Sequence, residues 1–424
     1  MDRTTERIVQ FVENMTDDRL TEGLVHQVKR RLVDSLACAV GAIDSRPAQI
    51  ARGLARDVRG ALPATVLGLP HSTSIEMAAF ANTTMVRYLD FNDMYFSPRG
   101  GGGHPSDLIP TALATGQAAR CTGRELALAI VTGYEVLGKL IGAVRLRERG
   151  WDQGLYTVIA SAMVTGKLLR LSREQLGHAV ALAVTPHVPM RQTRVGELSM
   201  WKGCATAGAA KNGVFAALLA SHGMTGPPEP FEGGDALWQL VTGPFDLDLR
   251  PGPAGYVIEQ IHTKFRPIEY NAQAPVDLIL RLRQRLHQLK RLIDIEEIEG
   301  IDVETYWLTH SEIGSEPAKW NPQTRETADH SLPYVLAVAL VDGEVSEDSF
   351  TTERIRDPRL RPLMQRIHVA ERAEFTQRFP ADLMSRISLR LRTGDNRWTD
   401  LRSQRRKIRW GTICQRQITS RRAR

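Results

Sequence analysis

Apolar residues recur with a helical period through the first 245 residues of the chain. The clearest example follows Thr122, where apolar side chains step by three and four positions and so lie on one face of a helix. These residues are Leu126, Ile130, Tyr134, Leu137, Ile141 and Val144. The pattern predicts a long amphipathic helix at this point, and its recurrence predicts a large all-helical domain.

Helix start signals support this interpretation. Thr73–Glu76, Thr122–Glu125 and Ser172–Gln175 each have the form of a capping box, in which two side chains satisfy free amides of the first helical turn. The segment 203–220 is rich in alanine and glycine. Such small side chains permit a close approach between helices, so we expect this helix to be buried on most sides.

The pattern changes after the turn-rich segments 226–230 and 251–253. Three later segments alternate apolar and polar residues, as strands do, and two are helical. The predicted strands are 301–306, 367–369 and 387–392, and the predicted helices are 271–289 and 331–341. The predicted fold is therefore mostly α, with a helical domain at 1–263 and a smaller α+β lid domain at 264–393.

Composition narrows the class of protein. The chain has 424 residues, of which 42% are hydrophobic and 24% charged, as in globular proteins. A run of about 18 uncharged apolar residues is absent, so no membrane-spanning helix and no membrane partner are predicted. The first residues lack the pattern of a signal peptide, and we expect a cytoplasmic protein. Four cysteines without a CxxC pair, and histidines without HExxH, predict neither a metal site nor a cofactor.

The net charge of +7 is unevenly distributed. From Arg386 onward the chain has 13 basic and 2 acidic residues, a local charge of +11, so the rest carries −4. We predict that residues 394–424 form a basic, solvated tail. The alternative is a tail that binds nucleic acid, which we do not expect, because the charge is confined to this segment and no aromatic platform accompanies it.

The most distinctive polar stretch lies between residues 88 and 107. It contains Asp90, Asp93, a glycine run at 100–103, His104 and Asp107. A carboxylate beside an imidazole is what a proton-abstraction site needs, since each group orients the other or perturbs its pKa. The structural alternative is helix capping by the aspartates and a linker formed by the glycines. The spacing leaves both interpretations open.

Three further stretches carry candidate groups. Arg191, Arg194 and Lys202 precede the Ala/Gly-rich helix and suit the binding of carboxylates, although an exposed charged loop is the commoner pattern. Lys264 lies at the predicted domain junction, where surface charge is the alternative. Tyr334 opens a helix, either as a core residue or as a phenol that faces a ligand. Together these groups suit a small polycarboxylate that loses an α-proton.

These motifs resemble those of the 2-methylcitrate dehydratase family, also called MmgE/PrpD. The similarity rests on segments 89–93, 104–107, 196–202 and 223–227 and on the surroundings of Lys264 and Tyr334, with the opening segment 31–37, and it covers roughly residues 5–393. It implies a helical domain with an α+β lid, an active site in the cleft between them and a homodimer. Family members include hydro-lyases, cis-aconitate decarboxylases and an epimerase.

The resemblance also implies roles for individual residues. Catalytic positions are matched by Asp90, His104, Lys202, Lys264 and Tyr334, and we predict substrate contacts from Asp93, Asp152, Arg191, Arg194 and Glu269. Decarboxylase-like members carry Gly-Phe-His where this chain has Gly-Trp-Asp at 150–152, and threonine where it has Met94. Both departures favour dehydration over decarboxylation.

The resulting prediction is a metal-independent hydro-lyase without a cofactor that converts 2-methylcitrate, a small hydroxy tricarboxylate, to 2-methylaconitate in propionate catabolism. The alternatives are a decarboxylase or an isomerase or epimerase of a related polycarboxylate on the same fold. A more distant alternative is a non-catalytic protein with a nucleic-acid-binding tail.

Overall fold

A computed structural model describes residues 1–288, 295–392 and 397–405. The backbone divides into two compact units, with the boundary between His262 and Thr263. The first unit is almost wholly helical and the second combines helices with a four-stranded sheet. This is the predicted fold class, a mostly helical protein with a smaller α+β domain.

Long helices dominate the first unit. They are α1 (Arg3–Asn14), α2 (Glu22–Gly41), α3 (Arg46–Arg56), α4 (Ile75–Tyr88), α5 (Ile109–Ala118), α6 (Gly123–Ala143), α7 (Gly154–Leu168), α8 (Arg173–Val184) and α9 (Trp201–Ser221). Two small antiparallel hairpins interrupt them, β1 (Pro63–Thr65) with β2 (Ser72–Ser74) and β3 (Tyr95–Phe96) with β4 (Gly102–Gly103). The hairpins were not predicted, because two or three residues are too few to show a period.

Two of the three predicted capping boxes are formed. In both Thr122–Glu125 and Ser172–Gln175 the two reciprocal side-chain bonds are present at the start of a helix. The box predicted at Thr73–Glu76 was wrong. Thr73 belongs to strand β2, where it pairs with Ala64, so α4 begins only at Ile75, with Ser74 at its N-cap.

Helix α6 runs through the core of the first unit. It is the predicted amphipathic helix, and by length and composition alone it could cross a membrane. However, 78% of its most apolar stretch is buried inside the protein, and the buried Glu135 lies in its middle. Helix α6 is therefore apolar because it packs in the core of this helical unit.

Helix α9 packs closely against its neighbours, as its small residues predict. At Gly213 an added Cβ atom would lie 2.3 Å from the Val158 carbonyl oxygen and 2.9 Å from the Ala162 amide nitrogen, both backbone atoms of α7. The two helix backbones therefore touch at this glycine. Gly203, near the start of α9, likewise lies against the last residue of α4, Tyr88.

The second unit packs helices against one mixed sheet. Its helices are α10 (Gln273–Gln288), α11 (Trp307–Ile313), α12 (Pro317–Trp320), α13 (Arg325–Ala328), α14 (Leu332–Asp342), α15 (Thr352–Ile355), α16 (Leu360–Met364) and α17 (Ala373–Arg378). Its strands are β5 (Ile298–Thr305), β6 (Ile367–Glu371), β7 (Asp382–Leu391) and β8 (Arg397–Arg405), in the order β6-β5-β7-β8. Strands β5 and β6 are parallel, and the other pairs are antiparallel.

Register explains the core of this unit. Val303 of β5 lies opposite Val369 on one side and Ile387 on the other. The apolar members of this row join residues of α10 and α14 in one hydrophobic cluster. The three predicted strands and two predicted helices of this region are therefore confirmed, apart from residues near 289, which lie outside the described part of the chain.

The prediction of a solvated tail from residue 394 was wrong for residues 397–405. They form β8, which pairs antiparallel with β7 along its length, from Arg390 opposite Arg397 to Asp382 opposite Arg405. Strand β8 is one of the two edge strands of the sheet, and charged residues are typical of edge strands because they discourage pairing with other chains. This charge concealed the strand in the sequence. The rest of the predicted tail lies outside the described residues.

The close approach at Gly213 predicts a specific loss of stability. The substitution Gly213→Ala should lower the free energy of unfolding by about 1–3 kcal/mol, because the methyl group would collide with backbone atoms that cannot rotate away. The matched control is Gly53→Ala in α3, where an added Cβ atom meets nothing within 4 Å. This change should raise stability by about 0.5–1 kcal/mol. Equal effects of the two substitutions in urea unfolding would contradict the packing described here.

Candidate active site

Asp90 stands at the end of α4 in a backbone conformation that is uncommon for residues other than glycine. Its φ is +49°, in the left-handed region, and its amide donates to the Arg87 carbonyl oxygen at 3.1 Å. The side chain is buried, with 1% of its surface exposed. Residues held in this region of φ and ψ occur where the surrounding structure requires a particular side-chain direction.

Two cations contact the Asp90 carboxylate. Arg87, on the last turn of α4, forms an ion pair with Oδ1, and the Lys202 Nζ atom lies 3.6 Å from Oδ2. All three side chains are almost fully buried. Lys202 lies in the first turn of α9, where the helix dipole disfavours a positive charge, so the nearby carboxylate compensates for this position. The close packing of α9 on α4 brings these groups together.

His104 is fixed by hydrogen bonds at both ring nitrogens. Its Nδ1 atom lies 2.6 Å from the Asp93 carbonyl oxygen, which can only accept, so Nδ1 carries a proton. Its Nε2 atom lies 3.0 Å from Nη2 of Arg87, which can only donate, so Nε2 presents its lone pair. The imidazole is therefore neutral in this arrangement, with a basic Nε2 atom beside the Arg87–Asp90 pair.

The end of the glycine run before His104 forms one strand of a β-hairpin. Gly103 pairs with Tyr95 and Gly102 with Phe96 in the β3–β4 ladder. An added Cβ atom at Gly102 would lie 2.3 Å from Met94 Cε. The glycines therefore allow a close approach that holds His104 next to the segment that carries Asp90 and Asp93. Of the two interpretations of this stretch, the linker alternative is wrong for residues 102–103.

Asp93 was predicted to bind substrate, but the structure gives its carboxylate another role. Oδ1 accepts the Ser106 amide proton at 3.0 Å, and Oδ2 accepts the Tyr134 hydroxyl proton at 3.0 Å. Burial raises the pKa of Asp93, while Arg31, Ser106 and Tyr134 oppose the shift. The side chain of Asp93 is wholly buried, and its backbone carbonyl oxygen holds His104. Asp93 therefore positions the imidazole.

Asp107 lies beneath the same cluster and was not among the predicted site residues. Its Oδ1 atom accepts a hydrogen bond from Asn92 Nδ2 at 3.3 Å, and Asn92 also donates to Ser106 Oγ at 2.9 Å. Burial raises the pKa of Asp107 to about 7, against the opposing effects of Arg87, Thr206 and Arg194. The group can therefore change its charge near neutral pH.

Asp152 and Arg194, both predicted to bind substrate, contact each other. Arg194 donates to both carboxylate oxygens of Asp152, with Nη2 at 3.3 Å from Oδ1. Asp152 is buried and also accepts the Gly154 amide proton at 3.0 Å, at the start of α7. A buried carboxylate that already holds a guanidinium would repel a substrate carboxylate, so we assign Asp152 the orientation of Arg194, and its direct substrate contact stays a prediction. Arg191 lies at the other end of the same short 3-10 helix.

The remaining predicted residues belong to the second unit. Lys264 is buried and begins the segment that Gln273 holds, because the Gln273 side chain bonds the backbone of Phe265 and Arg266. Glu269 caps a short 3-10 helix by accepting the Asn271 amide proton at 2.6 Å.

Tyr334 is wholly buried in the core of the second unit. Its hydroxyl donates to the Ser349 carbonyl oxygen at 2.6 Å, and burial raises its pKa. This position corresponds to the structural alternative, a core residue behind the N-cap Ser331. We therefore do not retain the catalytic role predicted for the phenol.

Sequence reasoning missed Arg87 and Tyr134, although each had a partial signal. Arg87 precedes Asp90 by three residues, a spacing at which opposite charges meet on one side of a helical turn. Tyr134 lies on the apolar face of α6, where its period marks it as a core residue and conceals the role of its hydroxyl. Only the tertiary structure shows that both residues hold catalytic candidates in place.

Comparison with known sequences places this arrangement in a family. The signature of the MmgE/PrpD N-terminal domain matches residues 6–250, and that of the MmgE/PrpD C-terminal domain matches residues 267–404. The chain belongs to the MmgE/PrpD family. The two signatures together span most of the chain, including all of β8 except its last residue.

Relatives of this MmgE/PrpD protein have names for two activities. A 2-methylcitrate dehydratase of Cupriavidus necator is 27% identical over 396 residues, which are 87% of this chain and 78% of the relative. A mitochondrial 2-methylcitrate dehydratase of Yarrowia lipolytica is 24% identical over 400 residues, 89% and 74% of the two chains. A human cis-aconitate decarboxylase is 24% identical over 380 residues, 86% and 76% of the two chains.

The raised pKa of Asp107 predicts a pH-dependent stability. In the folded protein Asp107 keeps its proton up to about pH 7. In the unfolded chain it loses this proton near pH 3.8, the ordinary pKa of an aspartate. The folded state therefore loses stability as the pH rises from about 4 to 7. In Asp107→Asn, which keeps an acceptor for Asn92, this contribution disappears. Between pH 5 and pH 8 the wild type should lose on the order of 2 kcal/mol more than the variant in urea unfolding. Parallel pH profiles would show that Asp107 is ionised throughout.

Proposed function

We propose that this protein is a lyase that removes water from a small hydroxy tricarboxylate, with 2-methylcitrate as substrate and 2-methylaconitate as product. The observation that carries the proposal is the neutral His104 imidazole, whose basic Nε2 atom contacts Arg87, while Asp90 holds the buried cations Arg87 and Lys202. The names of the relatives support a lyase-type enzyme.

The reaction begins with removal of a proton from the carbon next to a substrate carboxylate. The Nε2 atom of His104 takes this proton, after the substrate displaces the Arg87 hydrogen bond to the same lone pair. The negative charge spreads onto the adjacent carboxylate as an enolate-like species. Arg87 and Lys202 stabilise this charge because both are buried, where electrostatic interactions are stronger than in water.

Loss of hydroxide completes the elimination. The carbon–oxygen bond breaks as the carbon–carbon double bond forms, and the departing hydroxide takes a proton from the Lys202 ammonium group. The products are the unsaturated acid and water, while His104 has gained the proton that Lys202 lost. Proton exchange with solvent restores both groups. Asp90 supports this step by holding Lys202 and Arg87 next to each other.

The arginine and lysine residues that were predicted from the sequence bind the carboxylates of the substrate. Arg194 is oriented by Asp152, and Arg191 lies in the same short helix. Lys264 stays in the proposal as a further cation, and Glu269 as a polar contact of the second unit. We further propose that the enzyme works without a metal ion or cofactor, as a cytoplasmic homodimer. A role in propionate catabolism follows from the proposed substrate.

Direct assay of the product tests the reaction class. Purified protein treated with a metal chelator should convert 2-methylcitrate to 2-methylaconitate at an unchanged rate, because every proposed step uses a side chain. Mass-resolved analysis should also include citrate and cis-aconitate. Release of carbon dioxide would identify a decarboxylase instead, and a product of unchanged mass an isomerase or epimerase. Activity that disappears with the chelator and returns with added metal would contradict the metal-independent mechanism.

Substitution of His104 tests the proposed base. In His104→Ala the rate constant kcat should fall by about 10²–10⁴-fold, the usual contribution of a general base, while circular dichroism shows an unchanged fold. Lys202→Met should lower kcat in the same way, since it removes both a cation and the proton donor. A matched control is Arg250→Gln, which removes an exposed arginine that pairs with Asp248 in the same unit. Full activity of His104→Ala would exclude His104 as the base.

A further inference from the structure

Asp152 and Arg194 lie on two segments that are fastened to each other along their backbones. The Asp152 amide donates to the Pro189 carbonyl oxygen at 2.8 Å, and the Arg191 amide donates to the Gly150 carbonyl oxygen at 2.9 Å. Trp151 and Met190 form an isolated antiparallel bridge between these bonds. The segment before α7 and the segment before the Arg191–Arg194 helix therefore behave as one short ladder, which fixes the distance between Asp152 and Arg194.

Within this ladder, Asp152 orients the guanidinium group of Arg194. The carboxylate accepts from Nε and Nη2, which is the planar, two-bond geometry that holds an arginine most firmly. Arg194 keeps 12% of its side-chain surface exposed, and its Nη1 group has no hydrogen-bond partner among the residues that the structure describes. The guanidinium therefore has one edge held by protein and donors left for a ligand.

Asp107 links this arginine to the site of the proposed reaction. The short helix Arg191–Arg194 packs against α9, whose first turn carries Lys202. The guanidinium groups of Arg87 and Arg194 also both lower the pKa of Asp107. Asp107 is also bonded to Asn92, in the cluster that includes His104. Arg87, which contacts His104, and Lys202 are held together by Asp90, while Arg194 comes from a different segment of the fold. A ligand that contacts both needs carboxylates at separate positions.

We propose that Asp152 is a positioning residue for substrate selection. It holds Arg194 so that this guanidinium binds the additional carboxylate by which a hydroxy tricarboxylate differs from a hydroxy dicarboxylate. The inference rests on the proposed function for the identity of the reaction. It concerns binding alone, however, and can be tested without turnover.

The test compares two acids that differ by one carboxymethyl group. Citrate is the tricarboxylate probe, and malate is the dicarboxylate probe that lacks one arm. Dissociation constants for both are measured by isothermal titration calorimetry with the full-length wild type, Asp152→Asn, Arg194→Gln and the double variant. Asparagine keeps an oxygen that accepts the Gly154 amide proton, so Asp152→Asn removes mainly the charge that orients Arg194.

The expected result is a loss of selectivity. Asp152→Asn and Arg194→Gln should each weaken citrate binding by about tenfold or more, the usual effect of losing a charged hydrogen-bond pair, and should change malate binding less than twofold. The double variant should resemble Arg194→Gln, because Asp152 acts only through that arginine. The control variants Asp248→Asn and Arg250→Gln disrupt an exposed pair with similar geometry and should leave both affinities unchanged.

Three outcomes would overturn the inference. They are an equal loss of citrate and malate affinity, unchanged citrate affinity in Arg194→Gln, and a wild type that binds citrate no better than malate. Failure of the proposed function has a different signature. A wild type that selects citrate through Arg194 but does not dehydrate 2-methylcitrate would retain the binding inference and exclude the proposed reaction.

Discussion

The buried carboxylate of Asp90, in contact with Arg87 and Lys202, is the interaction on which the arrangement of the site depends. Moving ionised groups out of water is expensive, and a buried ion pair often stabilises a fold no better than apolar residues of the same size. Removing one partner, in contrast, costs about 3–5 kcal/mol because a charge is left buried. The cluster is therefore poor evidence of stability and better evidence of a site. Its geometry comes from helix packing, since the small residues of α9 allow its first turn to approach the end of α4.

The protonation state of His104 follows from this cluster. Arg87 donates to the lone pair of Nε2, which is the position that a proton would otherwise take, while the Asp93 carbonyl oxygen fixes the proton on Nδ1. The β3–β4 hairpin keeps the ring next to both groups. A neutral imidazole with one defined tautomer is suited to accept a proton from a substrate that carries negative charge. In the proposed reaction the same arginine turns to the substrate, so that the loss of one hydrogen bond exposes the base and supplies a cation for the new charge.

Much of the fold could be predicted from the sequence, because its elements are long enough to show a period. Five apolar positions in α6 and the alternation in β5 and β7 each identified their element. Asp90 and His104 were also predicted, since they lie within one polar stretch.

Arg87 and Tyr134 were missed because their positions in helices α4 and α6 have the period of core residues, and only tertiary contacts show their hydrogen bonds. For Tyr334 the sequence left a core role and a ligand-facing role open, because its position does not reveal that its hydroxyl is bonded to a backbone carbonyl. Strand β8 was concealed by the charge that suits an edge strand.

Acidic residues in a site that we propose for an anionic substrate would present an electrostatic problem, and their contacts explain how it is resolved. Asp152 orients Arg194, Asp93 holds His104 through its carbonyl oxygen while its carboxylate binds Tyr134 and Ser106, and Asp90 holds two cations. Burial also favours the uncharged form of Asp93 and Asp107, which reduces repulsion of a carboxylate. The acids thus set the directions of the cations and the base. A substrate with several carboxylates would meet positive groups whose geometry is already fixed, and such preorganisation lowers the cost of binding and of charge development in the reaction.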